Sequence, residues 1–420
     1  MSGTDAVGPS ADATSVAATV REASFLTLLS DTDGDAIAAA GLIAGAARTA
    51  GIPFQVRSTD DPNGLLSTGL PNDGPDERTL VVGRESAIAD ASLPGKVSTA
   101  DGESASASAY RTAIELDDDP DPVLALAGSI AAGAVPGDDG TAAILERARE
   151  RDRLEQRPGV GLPVRELTDG LGHSVQFLAP FSGDPDRTAE ILDEWGLPTD
   201  ADAGELEPGQ QEQLASLLAI EVTTAEGAVP EAAAAIETAL RPYAIDGPFE
   251  TLAGYAEVLD VLARERPGTA IAIALDRDDR EGPNSSNRSP QLRESALEAW
   301  RAHARGTHRA IDAATTGRYD GSLLARVDAD PAVLPTIARL LCDYRSPEPV
   351  VVVIQQGADG AGGAAAGANR DPGGGGPALG EAFTDVAAEF DGTGSGTTTI
   401  ATARFDGDPT EFAAAIREQL

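Results

Sequence analysis

The stretch Ser24-Phe25-Leu26-Thr27-Leu28-Leu29-Ser30-Asp31-Thr32-Asp33-Gly34-Asp35 decides the fold. Its first seven residues are a mainly apolar run with the length of a buried strand. Asp31 to Asp35 is a turn cluster, because Asp and Gly readily leave regular structure. Ala36 to Thr49 then reads as a small-residue helix ended by Gly51, and Ile52 to Arg57 as a second strand. A helix between two short strands is a βαβ unit, which implies a parallel α/β sheet. Ligands and chemistry in such sheets collect at the carboxyl ends of the strands. Asp31 and Asp33, splayed by a turn at that end, suit a hard divalent ion such as Mn²⁺ or Mg²⁺. The same carboxylates equally suit a capping turn, in which they accept N–H bonds from the helix start.

Outward from this unit the pattern continues. Residues 1–20 lack any period and are expected to be a disordered tail. Residues 58–78 read as a polar loop, and Thr79 to Gly83 as a third strand. Helices are expected near 103–115, 121–133 and 139–155, and Arg157-Pro158-Gly159 marks a boundary. The middle region, 158–315, is mostly helical, with helices at Pro185–Trp195, Glu250–Arg266 and Leu297–Ala314. Within it Thr269 to Leu275 reads as a strand and Asp276 to Pro290 as a loop. From 316 to 420 the pattern is α/β again. Strands are expected at Gly321–Val327, Pro349–Gln355 and Thr397–Phe405, and helices at Val333–Leu341, Leu379–Phe390 and Pro409–Leu420. Gly357 to Pro377 reads as a flexible surface loop. Its four-glycine run, Gly373 to Gly376, lacks the lysine that a phosphate-binding P-loop requires.

Composition narrows the function. The chain has 420 residues, 69 Asp and Glu against 31 Lys and Arg, and a net charge of −38. Lys96 is its only lysine. An acidic, nearly lysine-free surface stays hydrated in molar salt, so the expected source is an extreme halophile, an archaeon. There the Debye length falls to about 3 Å, and counterion release at a basic patch cannot be the main source of nucleic-acid binding. One cysteine, Cys342, excludes a disulfide framework and cysteine-ligated zinc or iron–sulfur centres. Cys342 follows an apolar helix and reads as buried packing. His303 and His308 stand five residues apart on one helix and read as solvated positions on different faces. No apolar run reaches the roughly 18 residues of a membrane span. The acid-bearing start does not resemble a signal peptide, so a cytoplasmic protein is expected.

Leu28 to Ala40 resembles the first motif of the DHH phosphoesterase superfamily, whose archaeal RecJ-like members carry His-x-Asp-x-Asp-Gly before a small-residue helix. Ala107 to Ala132 resembles the helical pair after that family's catalytic loop. Thr168-Asp169-Gly170-Leu171-Gly172-His173-Ser174 resembles the start of its linking region. Leu379 to Phe405 resembles the DHH-associated C-terminal domain. There Gly392 to Thr397 stands where the family has a Gly-Gly-Gly-His loop, and Ile400 to Ala403 where it has an Ala-Ala-Gly strand. The resemblance implies an N-terminal parallel-sheet DHH-like domain, a helical middle region and a smaller C-terminal α/β domain. It also implies Asp31, Asp33 and Asp35 as remnants of a metal site. Gly394, Gly396, Thr397 and Arg370 are implied as substrate-binding positions.

The departures are as informative. The motif-one histidine falls on Leu29 or Ser30. The second motif's aspartate is missing after Leu80-Val81-Val82-Gly83. No Asp-His-His triplet exists, and Thr397 replaces the loop histidine. Two carboxylates on one turn cannot build the two-metal clamp that cleaves a phosphodiester in intact members. The resemblance therefore implies a catalytically degenerate RecJ-like protein that needs no cofactor. Its implied role is a replisome or repair scaffold partnered with GINS and the MCM helicase, with single-stranded nucleic acid as a further partner. The competing expectation is a single-strand exonuclease or oligonucleotide phosphodiesterase using Mn²⁺ or Mg²⁺ at a rebuilt site. Asp101 or Glu103 are then the candidates to have moved in. A nucleotide-sensing module that keeps only the cleft is a third.

Overall fold

A computed structural model describes residues 11–67, 74, 76–84, 96–99, 103–138, 140–199, 201–276, 285–319, 321–356, 361–368 and 379–420. The chain divides into two compact units. One comprises Met1–Gln156 with Tyr243–Ala299, the other Arg157–Pro242 with Trp300–Leu420. The chain first leaves the first unit at Arg157. Residues 243–299, read from sequence as part of the middle region, fold with the N-terminal unit.

The first unit is built on a four-stranded parallel sheet of β1 (Phe25–Ser30), β2 (Phe54–Ser58), β3 (Glu77–Arg84) and β4 (Lys96–Thr99), in the order β2-β1-β3-β4. Strand order reverses between β1 and β3, and the carboxyl ends of these two strands form the topological switch point. Over the sheet lies the Gly34–Thr49 helix, in which Gly34 to Ala47 are all buried. Its small side chains are a packing requirement. A Cβ at Gly41 would stand 2.7 Å from Cβ of Ala274, and one at Gly128 would stand 2.7 Å from Cβ of Ser106. The helices Ala105–Glu115, Pro122–Ala131, Leu252–Glu265 and Pro267–Leu275 all pack on it.

Several expectations are corrected here. Ala11–Arg21, placed in a disordered tail, is a helix whose Ala13, Val16, Ala17 and Val20 are buried. Thr269 to Leu275, read as a strand, belongs to the Pro267–Leu275 helix. A seven-residue apolar run has no periodicity to separate the two, and Pro267 at the first turn favours the helix. The helix expected over 139–155 is shorter, Ala142–Glu150. After Asp152 at φ 53, β5 (Leu154–Gln156) pairs antiparallel with β6 (Tyr243–Ile245). The 58–78 loop contains the Pro62–Ser67 helix. The loop expected at 276–290 ends early, because a 28-residue helix runs Ser285–Asp312.

The second unit carries a six-stranded mixed sheet. Its strands are β7 (Thr315–Tyr319), β8 (Ser322–Val327), β9 (Val350–Gln355), β10 (Ala361–Ala368), β11 (Thr393–Gly396) and β12 (Ile400–Asp406), in the order β11-β12-β10-β9-β8-β7. The largest correction is β10. Its sequence, AGGAAAGA, lies in the segment read as a flexible loop, yet it is hydrogen-bonded to β9 on one side and β12 on the other. Gly and Ala are poor strand formers by propensity. The glycines of β10 are needed here, because a Cβ at Gly362 would stand 2.4 Å from the Phe405 ring and one at Gly363 would stand 3.0 Å from Cδ1 of Leu334, at the start of the Leu334–Tyr344 helix. On the opposite face Phe383, Phe405 and Phe412 close the core, with Phe405 and Phe412 stacked at 3.9 Å.

Candidate functional site

At the switch point Asp31 follows β1 directly. Its amide N–H donates to the Val82 carbonyl of β3 at 2.9 Å, and its Oδ1 accepts from the Thr32 amide at 2.7 Å. The side chain is buried. Beside it Gly83, one residue before the end of β3, sits at φ 148, where an added Cβ would approach the Asp31 Cβ to 2.6 Å. A side chain at Gly83 would therefore be pressed against Asp31.

Asp33 is the N-cap of the Gly34–Thr49 helix. Its backbone is extended, and its Oδ1 accepts from the Ala36 amide at 2.8 Å. Asp35 is spent differently. Its two carboxylate oxygens accept the amides of Ala105 at 2.7 Å and Ser106 at 2.8 Å, the first two residues of the Ala105–Glu115 helix. One buried carboxylate thus closes the start of a second helix, 70 residues away. Burial, reinforced by the charge of Asp33, pushes the Asp35 carboxyl up to about 7, against the pull of these N–H donors. Ser104, Ser106 and Ser129 line the same spot, with Ser104 Oγ and Ser129 Oγ 2.6 Å apart.

A fourth carboxylate, which sequence reasoning missed, completes the turn. Asp260, on the Leu252–Glu265 helix, accepts the Gly34 amide at 3.1 Å and is paired with Arg264. Nothing near Asp260 in the chain links it to a turn 226 residues away. Glu103 is paired with Arg111. Asp101 and Arg370 lie outside the described residues.

The donor set can be tested against a metal centre on these contacts. Asp35 gives both oxygens to backbone amides, and Asp33 gives one. Among the described residues no group of three or more His, Cys, Asp or Glu side chains is placed to hold an ion. These carboxylates do not fit a two-metal centre.

In the second unit, Gly394 and Gly396 lie on β11 beneath the Leu379–Glu389 helix. A Cβ at Gly394 would strike the Phe383 carbonyl, and Gly380 abuts the Gly396 backbone. Thr397 forms the turn into β12, its Oγ1 accepting the amides of Thr399 and Ile400 at 3.2 Å each. Cys342 is buried, and burial pushes its thiol up to about 12.

The histidines are not solvated, contrary to the sequence reading. His303 Nε2 lies 2.9 Å from Thr336 Oγ1, and His308 Nε2 lies 3.0 Å from the Ser174 carbonyl; both rings are buried. They do point to different partners, as their spacing requires. Burial holds His308 down at about 4. His173 completes a further cluster. Its Nδ1 is 3.0 Å from Asp169 Oδ1, and Asp169 also receives a two-pronged contact from Arg301 at 2.9 and 2.8 Å. Burial alone would raise the Asp169 carboxyl. Hydrogen bonds from His173 and Arg301, with the Arg301 charge, overcome it and hold the group at about 2.

Residues 314–418 match the model of the "Uncharacterized protein rrnAC1427, C-terminal domain" family. Over 408 residues the chain is 42 % identical to uncharacterized protein rrnAC1427 of Haloarcula marismortui, covering 96 % of both chains. The chain belongs to the rrnAC1427 family. Among solved structures it is similar to CDC45 from Entamoeba histolytica, with a TM-score of 0.57 at 8 % identity over 96 % of each chain. It is also similar to RecJ from Thermus thermophilus in complex with Mn²⁺, with a TM-score of 0.54 at 13 % identity over 98 % of this chain. The match spans 55 % of that RecJ, about half its length. A manganese-bound exonuclease RecJ matches with a TM-score of 0.50 at 13 % identity over 98 % of this chain and 95 % of its own. The fold of this rrnAC1427-family protein is thus similar to that of RecJ and CDC45. No described helix is long and apolar enough to cross a membrane.

Proposed function

We propose that the chain is a catalytically degenerate RecJ-like protein serving as a scaffold for replication or repair proteins, with GINS and the MCM helicase as its partners. The observation that carries this reading is the use of Asp35. In a fold shared along nearly the whole chain with CDC45, the carboxylate that directly follows the motif gives both oxygens to the Ala105 and Ser106 amides. A hard cation needs those oxygens free. Gly83 beside Asp31 and the absence of an Asp-His-His triplet support the same reading. Loss of metal chemistry leaves the fold's surfaces intact, and a scaffold needs only those.

The test uses the full chain in molar KCl. It is mixed with GINS and MCM from the same host, and complex formation is followed by size-exclusion chromatography. In parallel it is incubated with Mn²⁺ and single-stranded DNA, RNA and short oligonucleotides. Co-elution with either partner and no cleavage are expected. Cleavage that an Asp31→Ala, Asp33→Ala double variant abolishes would replace the scaffold with a DHH-type phosphodiesterase. Absence of any complex would remove the partner assignment.

A further inference from the structure

The Ser285–Asp312 helix places Arg301, Arg305 and Arg309 at intervals of four residues, which align side chains along one face. Their surroundings differ from those expected in a chain where acids outnumber bases by 69 to 31. Arg305 is exposed, and its hydrogen-bond partner is an imidazole: its Nη1 lies 3.1 Å from His173 Nε2. A guanidinium is donor-only, so this Nε2 accepts and the ring's proton sits on Nδ1, facing Asp169. Asp169 in turn holds Arg301 by the two-pronged contact, and Trp300 packs on the His173 ring at 5.7 Å between centroids. Arg309, one turn further on, is exposed, and no described carboxylate pairs with Arg305 or Arg309.

The charges therefore do not cancel. Asp169 balances Arg301, while Arg305 is held at a ring nitrogen of His173 and keeps its outward N–H groups. Immobilising a long side chain costs rotamer freedom. A single bond to an imidazole returns little of that at an exposed position. A guanidinium held in place with no carboxylate paired to it among the described residues is pre-organised for an oxyanion, which its planar fork matches. Pre-organisation matters most in molar salt, where long-range attraction is screened and only direct contacts discriminate. Acids on the same helix limit the site: Glu298 lies toward its N-terminal side, and Asp312 follows Arg309 and faces Arg345.

We propose that Arg305, flanked by Arg301 and Arg309 and backed by His173 and Asp169, forms a binding site for a phosphoryl group. This goes beyond the scaffold reading and does not depend on it. Two sources share that chemistry: a small phosphorylated molecule, and the backbone of a single-stranded nucleic acid.

The experiment uses the full chain in about 2 M KCl with Trp195→Phe, so that Trp300 alone reports. Inorganic phosphate, AMP and an oligo-dT are titrated in turn, with tryptophan fluorescence and melting temperature as readouts. Saturable binding of at least one probe is expected. Arg305→Gln is expected to weaken it at least about tenfold, the loss of one charge-assisted two-pronged contact. Arg309→Gln is expected to weaken it by roughly threefold, and Arg417→Gln, on the last helix, to leave it unchanged. Binding of oligo-dT that phosphate displaces identifies the nucleic-acid backbone as the source. Binding of phosphate or AMP alone identifies a small ligand. No saturable response to any probe, or a response that Arg305→Gln leaves intact while its melting temperature matches the parent, overturns the proposal.

Discussion

Two acidic clusters of this molecule solve the same problem in opposite ways. At the switch point, Asp33 and Asp35 are satisfied by backbone amides, and the partners of Asp35 carry no full charge. At the helix pair of the second unit, Asp169 is satisfied by the side chains of Arg301 and His173. The consequence is a divergence in titration: Asp35 moves up to about 7 and Asp169 down to about 2. Amide dipoles hold a buried carboxylate in place without repaying its lost hydration, whereas a full positive charge does. Position and charge are thus separable, and the contrast can be broken at either end.

The largest effect is expected at Asp35. Asp35→Ala strands two buried amides at the start of a helix, each worth roughly 1–3 kcal/mol. A loss of about 4 kcal/mol in chemical denaturation is expected; a loss under about 1 kcal/mol would show that water replaces the carboxylate. Asp169→Ala comes next. Its downward displacement from 3.8 to about 2 corresponds to about 2 kcal/mol of stability. That contribution is present above the unfolded value and is lost as pH falls through the folded one, so it disappears between about pH 4 and 2. Asp35 has the opposite sign. A raised folded value favours the protonated native state, so its contribution is full below the unfolded value of 3.8 and is lost as pH rises through about 7. Stability measured from pH 5 to 8 is therefore expected to fall in the wild type relative to Asp35→Asn, with the baseline offset subtracted. A parallel pair of curves would show that Asp35 stays ionised throughout.

The smaller effects concern Asp33. Asp33→Ala is expected to cost about 1 kcal/mol, the worth of a helix N-cap, and Asp33→Asn only a few tenths. Added Mn²⁺ is expected to raise the melting temperature of wild type and Asp33→Asn equally. A wild-type-specific rise at low millimolar Mn²⁺ would mean native-state binding at this turn, and the phosphodiesterase reading would then lead.

The sequence by itself determined the local frame. Alternation of apolar runs with a small-residue helix placed β1, the Asp31–Asp35 turn and β2, because each signal is complete within about fifteen residues. The C-terminal strands β8 and β9 were legible for the same reason, as short Val- and Leu-rich runs bounded by turn residues. Only the tertiary structure decided how those residues are used. Whether Asp35 holds a cation or a helix start depends on amides 70 residues away. AGGAAAGA becomes a central strand because β9 and β12 pair with its two edges while Phe405 and Leu334 leave no room for side chains at Gly362 and Gly363, and TAIAIAL becomes a helix because its small face meets Gly41. His303 and His308 are buried because the second unit closes over both sides of their helix. Periodicity reports what a segment can bury. The partner that supplies the charge, the donor or the steric limit comes from a distant segment, and folding alone brings the two together.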